Sequence, residues 1–315
     1  MGEHGIHISG HRPCLGDPPL RLCFCHQREG ARAAGCTAGE ACQLQEAPNA
    51  ITSLPLLPLC AAAGVRKQAS GRAQVLILHD DAAGAALAAQ VLRPQHCDTA
   101  NVAACRLAGV GHPDLLHALA CGFDMILLQR AAEASQALQQ RRETELAEDL
   151  GGMGRIALFS DKAELSALLT LDISPRVSAA PELLVAGSRR DTARASAAAL
   201  LPVSKTHVPL ADPAPYGAVS LTGPGCDLCA RCSWMCPAEA LWIEEDSGAL
   251  NFDESLCFQC GICAGVCPQQ VLRLQPGMDL SVNAVLPRRL RAPGTKPEPG
   301  AALKAVPESR RTGRA

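Results

Sequence analysis

With 315 residues, the chain is long enough for two domains, one with a core of ordinary size and one small. A formal net charge of -2 excludes an overall field built for nucleic acid, and 3% aromatic content beside abundant alanine and leucine favours helices and small aliphatic cores over a β-sandwich. The apolar region 50–65 is broken by Pro55 and Pro58 and falls short of the roughly 20 residues a membrane helix needs. The opening MGEHGIHISGHRPC has no basic start followed by an apolar run, so a cytoplasmic chain without a membrane span is expected.

Residues 1–70 mix Gly, Pro, Arg and Cys without sustained apolar periodicity and are expected to be irregular or poorly ordered. From 71 to 201 the texture is that of an α/β domain. QVLILH is a buried strand, AAGAALAAQVL a helix of good formers, TANVAAC a second strand, and HPDLLHALACG a helix opened by His112 and Pro113 and stopped at Gly122. FDMILLQ, a helical stretch at 131–149, RIALFS and DKAELSALLTL continue the alternation, and an alanine-rich helix is expected over 188–201. Continuous apolar strands separated by helices predict a small parallel sheet covered on its faces. The prolines of 202–217 mark a stiff linker, 218–275 is a cysteine-rich module, and 276–315 is expected to be a disordered basic tail.

No glycine-rich phosphate loop follows QVLILH, since DDAAGAALA lacks the G-x-G-x-x-G spacing. GGMG at 151–154 precedes a strand and is expected to be a turn, and His112 and His117 are expected to serve as cap or core residues.

Of the 17 cysteines, eight lie between Cys226 and Cys267. In a chain without an export signal such clustering points to metal ligation rather than to disulfides. CDLCARCSWMCP and CFQCGICAGVCP superpose at a 31-residue offset, with Pro237 on Pro268 and Leu241 on Leu272, so the module is an internal duplication. Each copy has the form C-x2-C-x2-C-x3-C-P, the spacing of bacterial cubane sites, whereas a zinc ribbon uses separated C-x2-C pairs. Ala230, Gly261 and Ala264 are small enough to let backbone amides approach the sulfurs, and LWIEEDSGALNF between the copies has the pattern of a hairpin turning at Asp246 to Gly248. Trp234 and Phe258 are expected to shield the sites from water.

These motifs resemble a bacterial-type two-cluster 4Fe-4S ferredoxin domain, an α+β module. The resemblance implies two 4Fe-4S clusters, one held by Cys226, Cys229, Cys232 and Cys267 and the other by Cys257, Cys260, Cys263 and Cys236. With every ligand supplied by protein and no base or nucleophile legible, it implies electron transfer rather than catalysis, as a ferredoxin-type protein or subunit. Asp227, Glu239, Glu244, Glu245, Asp246, Asp253 and Glu254 face only Arg231 and Arg273 within 218–275, which would steer the module to a basic patch on a partner oxidoreductase, reductase or dehydrogenase.

ACRLAGVGHPDLLHALACGFDMILLQ carries a weaker resemblance, to the iron-sulfur delta subunit associated with methyl-viologen-reducing hydrogenases and heterodisulfide reductases. Cys105, Cys121 and Gly122-Phe123-Asp124 occupy comparable places, but QRAAEASQAL follows where that family has further cysteines, so a structural or docking role is expected. The order of the domains also resembles part of larger bacterial 4Fe-4S binding proteins. The N-terminal Cys14, Cys23, Cys25, Cys36, Cys42 and Cys60 reproduce no cubane spacing, and a further metal site at Cys23, Cys25, His26 and Cys36 stays open. Two alternatives to electron transfer are a flavin- or nucleotide-dependent reductase, against which the missing glycine loop argues, and a redox-sensing regulatory protein, supported only by the basic tail.

Overall fold

The computed structural model describes residues 21–22, 57–80, 83–91, 94–104, 107–176, 188–281 and 286–291. The chain divides into two units, Met1–Lys205 and Thr206–Ala315.

The first unit begins with the short strand β1 (Arg21–Leu22) and helix α1 (Leu57–Ser70). The alternation β2 (Ala73–His79), α2 (Ala83–Ala89), β3 (Cys97–Ala104), α3 (His112–Cys121), β4 (Met125–Gln129), α4 (Ala134–Ala147), β5 (Ile156–Phe159) and α5 (Lys162–Leu168) follows, and α6 (Arg189–Leu200) closes the unit. Strands β3, β2, β4 and β5 form a parallel sheet in that order, and β1 adds two residues beyond β3. Every residue of β2 and β4 is buried, as their apolar runs predict for strands covered on both faces. Val75, Ile77, Met125, Leu127, Phe159 and Leu165 build one core cluster. Of GGMG, Gly151 and Gly152 end a π-helical segment over Glu148–Gly152 and only Met153 and Gly154 form the expected turn; the φ values of 114° at Gly151 and 70° at Gly154 are open to glycine at no steric cost.

Helix α1 lies within the stretch expected to be irregular. Its proline misleads, because Pro58 falls at the second helical residue, where a missing N–H costs nothing. The helix buries Leu59, Cys60 and Ala63 and approaches α3 so closely that a Cβ on Gly122 would lie 2.5 Å from the carbonyl oxygen of Cys60.

Asp124 fastens this unit. Its Oδ1 accepts from Lys67 Nζ of α1 at 3.0 Å and from the backbone N–H of Arg176 at 2.7 Å, while Oδ2 accepts from the N–H of Gln74 on β2 at 2.9 Å. Beside it, the buried Arg155 donates to the carbonyls of Asp124, Leu119 and Phe123. Burial, then nearby Arg176, brings the Arg155 guanidinium down to about 10, with Asp124 opposing. Helix α6, capped by Ser188, is tied to α3 by the bidentate pair of Arg189 with buried Asp114 at 3.0 and 2.6 Å.

The second unit contains β6 (His207–Pro209), β7 (Gly217–Leu221), α7 (Arg231–Trp234), β8 (Leu241–Ile243), β9 (Leu250–Phe252), α8 (Ile262–Gly265), β10 (Leu272–Asp279) and β11 (Arg288–Arg291). Two antiparallel three-stranded sheets result, in the orders β6-β10-β7 and β11-β9-β8. The predicted hairpin is β8–β9, with Gly248 at φ 67° in its turn.

Two boundary expectations are corrected here. The linker 202–217 contributes β6, and the segment expected to be a disordered tail contributes the end of β10 and all of β11. Pro276 stands where β10 changes partner: residues 272–276 pair with β7 and residues 277–279 with β6. The RRLR of β11 has no apolar alternation, yet Leu290 packs on the core and the Arg288 guanidinium lies 5.2 Å from the centroid of the Phe252 ring. Residues 292–315 lie outside the described part.

Replacing Asp124 by Ala removes the counter-charge of the Lys67 ammonium, which keeps the Arg176 carbonyl at 3.1 Å, and the acceptor of the N–H groups of Gln74 and Arg176, and we expect a loss of about 3–5 kcal/mol in urea unfolding of the first unit. His117, wholly buried on α3, has its imidazole held down to about 4 by burial, which outweighs the opposing field of Asp114. The unfolded chain therefore takes up a proton that the fold refuses as pH falls from about 6.5 to about 4. Stability present above that window should be lost across it, and His117→Leu should flatten the dependence of the urea midpoint on pH.

Candidate iron-sulfur site

The eight cysteines sit on two loops that repeat in conformation as they do in sequence. Residues in the left-handed region recur at the same offset: Leu228 and Gln259 at φ 58° and 56°, Ala230 and Gly261 at 61° and 78°, Glu239 and Gln270 at 53° and 51°. Hydrogen bonds repeat with them. The N–H of Trp234 donates to Ala230 O at 3.0 Å and that of Gly265 to Gly261 O at 3.0 Å; further on, the N–H of Glu239 donates to Cys236 O at 3.2 Å and that of Gln270 to Cys267 O at 3.1 Å.

A left-handed residue reverses the chain within one step, so each C-x2-C segment curls about its own centre and turns backbone N–H groups inward. Helices α7 and α8 then carry Cys232 and Cys263 back toward the loops. Each helix begins directly after the left-handed Ala230 or Gly261, the small residues singled out from the sequence.

The loops enclose two clefts. The first, ≈ 370 Å³, is lined by Cys226, Cys229, Cys232 and Cys267, with Leu221, Ile243, Leu250 and Leu272 among its walls. The second, ≈ 350 Å³, is lined by Cys236, Cys257, Cys260 and Cys263, with Val219, Leu241, Phe252 and Leu274. Each cleft thus takes three cysteines from one run and the fourth cysteine of the other. Among the described residues, no three His, Cys, Asp or Glu side chains are arranged to hold a single metal ion. Thiols ringing a cleft, rather than converging on one point at about 2.3 Å as zinc requires, fit a polynuclear group.

Dry walls and crowded sulfur raise the thiols. Burial, then the neighbouring Cys226, Cys263 and Cys229, pushes Cys232 up to about 12; burial, then Cys257 and Cys236, pushes Cys263 up to about 11. Such groups surrender their protons to a metal rather than to water, so loading the site releases protons. N–H donors already face the sulfur: Ala240 N lies 3.3 Å from Cys236 Sγ, and both the backbone N and Nε2 of Gln259 lie 3.4 Å from Cys257 Sγ.

Two expectations about the surroundings change. Trp234 is 56% exposed and lines neither cleft, while Phe258 borders the second cleft with 53% of its surface exposed, so the walls are aliphatic, with Phe252 as the enclosed ring. Of the seven acidic residues, Asp253 and Glu254 are buried, Asp253 accepting from the N–H of Ser255 at 2.9 Å and Glu254 from that of Asp279 at 3.3 Å.

Residues 225–272 match the family model of the 4Fe-4S dicluster domain. The C-terminal unit accordingly contains a ferredoxin-type 4Fe-4S region, whose clustered cysteines at 226–267 support binding of that cofactor. No curated protein and no solved structure matches the chain. Among the described residues no helix is long and apolar enough to cross a membrane.

The remaining cysteines form no comparable ring among the described residues. Cys60, Cys97 and Cys121 are buried, Cys121 Sγ lying 3.6 Å from His117 Nδ1. Burial, then Cys121 and Asp114, raises Cys60 well above the ordinary thiol range. Cys105 and the N-terminal Cys14, Cys23, Cys25, His26, Cys36 and Cys42 lie outside the described residues.

Ala230 holds a left-handed conformation that its counterpart Gly261 adopts without strain. Ala230→Gly should raise the unfolding free energy of the second unit by about 1 kcal/mol in chemical denaturation, leaving the cluster absorbance unchanged.

Proposed function

We propose that the second unit is a two-cluster electron carrier. Cys226, Cys229, Cys232 and Cys267 would hold one 4Fe-4S cluster, and Cys257, Cys260, Cys263 and Cys236 the other. The observation that carries this reading is the pair of clefts, each lined by four cysteines drawn three and one from the two runs. When bound, such a group supplies one-electron transfer.

The protein's part in that chemistry is to hold, enclose and polarise. Eight thiolates supply full ligation, so no position is left for a substrate. Leu221, Ile243 and Leu250 at one cleft, and Val219, Leu241 and Phe252 at the other, keep water from the sulfurs, while backbone N–H groups favour the negative charge gathered there.

The partner would be an oxidoreductase, reached through the acidic residues that remain outward. From 218 to 291 the sequence carries eight acidic and five basic residues, because β11 brings Arg288, Arg289 and Arg291 to this unit. Steering by this surface is correspondingly modest and directional. The α/β unit, whose Asp124 is engaged in holding the fold, would serve docking or structure.

Anaerobic reconstitution of the full chain should give eight irons and a broad absorbance near about 400 nm that bleaches on reduction. Cys267→Ser should cost the EPR signal of the cluster whose other ligands are Cys226, Cys229 and Cys232, and spare the other. Stoichiometric zinc without that absorbance would overturn the reading.

A further inference from the structure

The duplication pairs each residue around one cleft with a counterpart around the other, so a difference between counterparts is a difference between the sites. The two positions after the first cysteine differ in what they offer sulfur. The residue after the first cysteine is Asp227 in one run and Phe258 in the other; the next is Leu228 in one and Gln259 in the other.

At the second cleft, the Gln259 amide is built in. Its Nε2 lies 3.4 Å from Cys257 Sγ and donates to Ala218 O at 3.2 Å, which fixes its orientation. Gly217 makes room for it, since a Cβ there would lie 2.7 Å from Gln259 Cδ. Leu228, at almost the same backbone φ, has no donor to offer.

At the first cleft, Asp227 lines the wall, accepting from the N–H of Cys229 at 3.2 Å and from Gln269 Nε2 at 3.4 Å. Arg231 lines the same cleft from helix α7, whereas Asp227 is held beside Cys229 by the hydrogen bond it accepts from that residue's N–H. Strand β11 does not discriminate: Arg288 stacks on Phe252 at the second cleft, and Arg291 pairs opposite Leu250 at the first. Backbone N–H groups also reach sulfur at the second cleft, Ala240 N lying 3.3 Å from Cys236 Sγ and Gln259 N 3.4 Å from Cys257 Sγ.

Resting on the two-cluster reading above, we infer that the clusters are unequal. The one held by Cys257, Cys260, Cys263 and Cys236 has the higher reduction potential, and the one held by Cys226, Cys229, Cys232 and Cys267 the lower. An added electron increases negative charge at sulfur; a donated N–H stabilises it, and a neighbouring carboxylate opposes it. One electron taken from a soluble one-electron reductant, with no bond made or broken, therefore settles at the second cluster. The first cluster is the relay of higher energy, filled second and emptied first.

The test is an EPR-monitored titration of the reconstituted full chain with dithionite. The wild type should show two resolved one-electron waves. Gln259→Leu, which copies Leu228 at the same backbone conformation, should move only the upper wave downward; Asp227→Asn should move only the lower wave upward. The two variants are independent, so failure of one to fold leaves the other decisive. Eight irons with coincident waves, or with either variant shifting the wrong wave or none, would overturn the inference while sparing the two-cluster reading. Fewer than eight irons, or zinc, would overturn both.

Discussion

Everything in the second unit follows from a shortage of one: each cysteine loop can gather only three thiols around its own cleft. The fourth residue of each run is carried past the helix and out of reach, and the cleft is closed by the other run. Cys236 and Cys267 therefore each belong to the wall of the other run's cleft, which ties the two loops to one another. The hairpin β8–β9, the strand β10 and the aliphatic walls serve that exchange by fixing how the halves face one another. Side-chain size matters little there compared with backbone conformation, which is why three pairs of left-handed residues recur at matching places.

The first unit obeys a different constraint. Its inner strands β2 and β4 are wholly buried, and its polar hub, Asp124 with Lys67, Arg155 and Gln74, lies where those two strands begin and the backbone would otherwise leave donors unmatched. Such a hub is hard to lose by single steps, because each partner removed strands another.

The sequence disclosed what depends on period and spacing. The parallel strands, the opening of α3 at His112 and Pro113 and its stop at Gly122 were legible because burial and capping act locally. The gathering of cysteines into two clefts was foreshadowed by the duplicated spacing. What escaped was structure whose cause lies elsewhere in the chain. Helix α1 was hidden by Pro58, which is harmless at its position; β6 and β11 exist because β10 and β9 offer edges to pair with, and neither partner is visible in their own residues. Gln259 was readable as a mismatch with Leu228, but its contact with sulfur depends on Gly217, some forty residues away, leaving the space. Trp234 misled because aromatic character suggests shielding, whereas its place on a four-residue helix turns it outward.

The change of partner at Pro276 has a further consequence. His207 pairs with Asp279, and everything between them, including every cysteine of both runs, is a single excursion whose ends are fastened by backbone hydrogen bonds. A chain so clasped has already lost most of the freedom that would separate Cys226 from Cys267. The entropy of bringing the two runs together therefore falls on strand pairing, which the backbone supplies whatever the thiols hold.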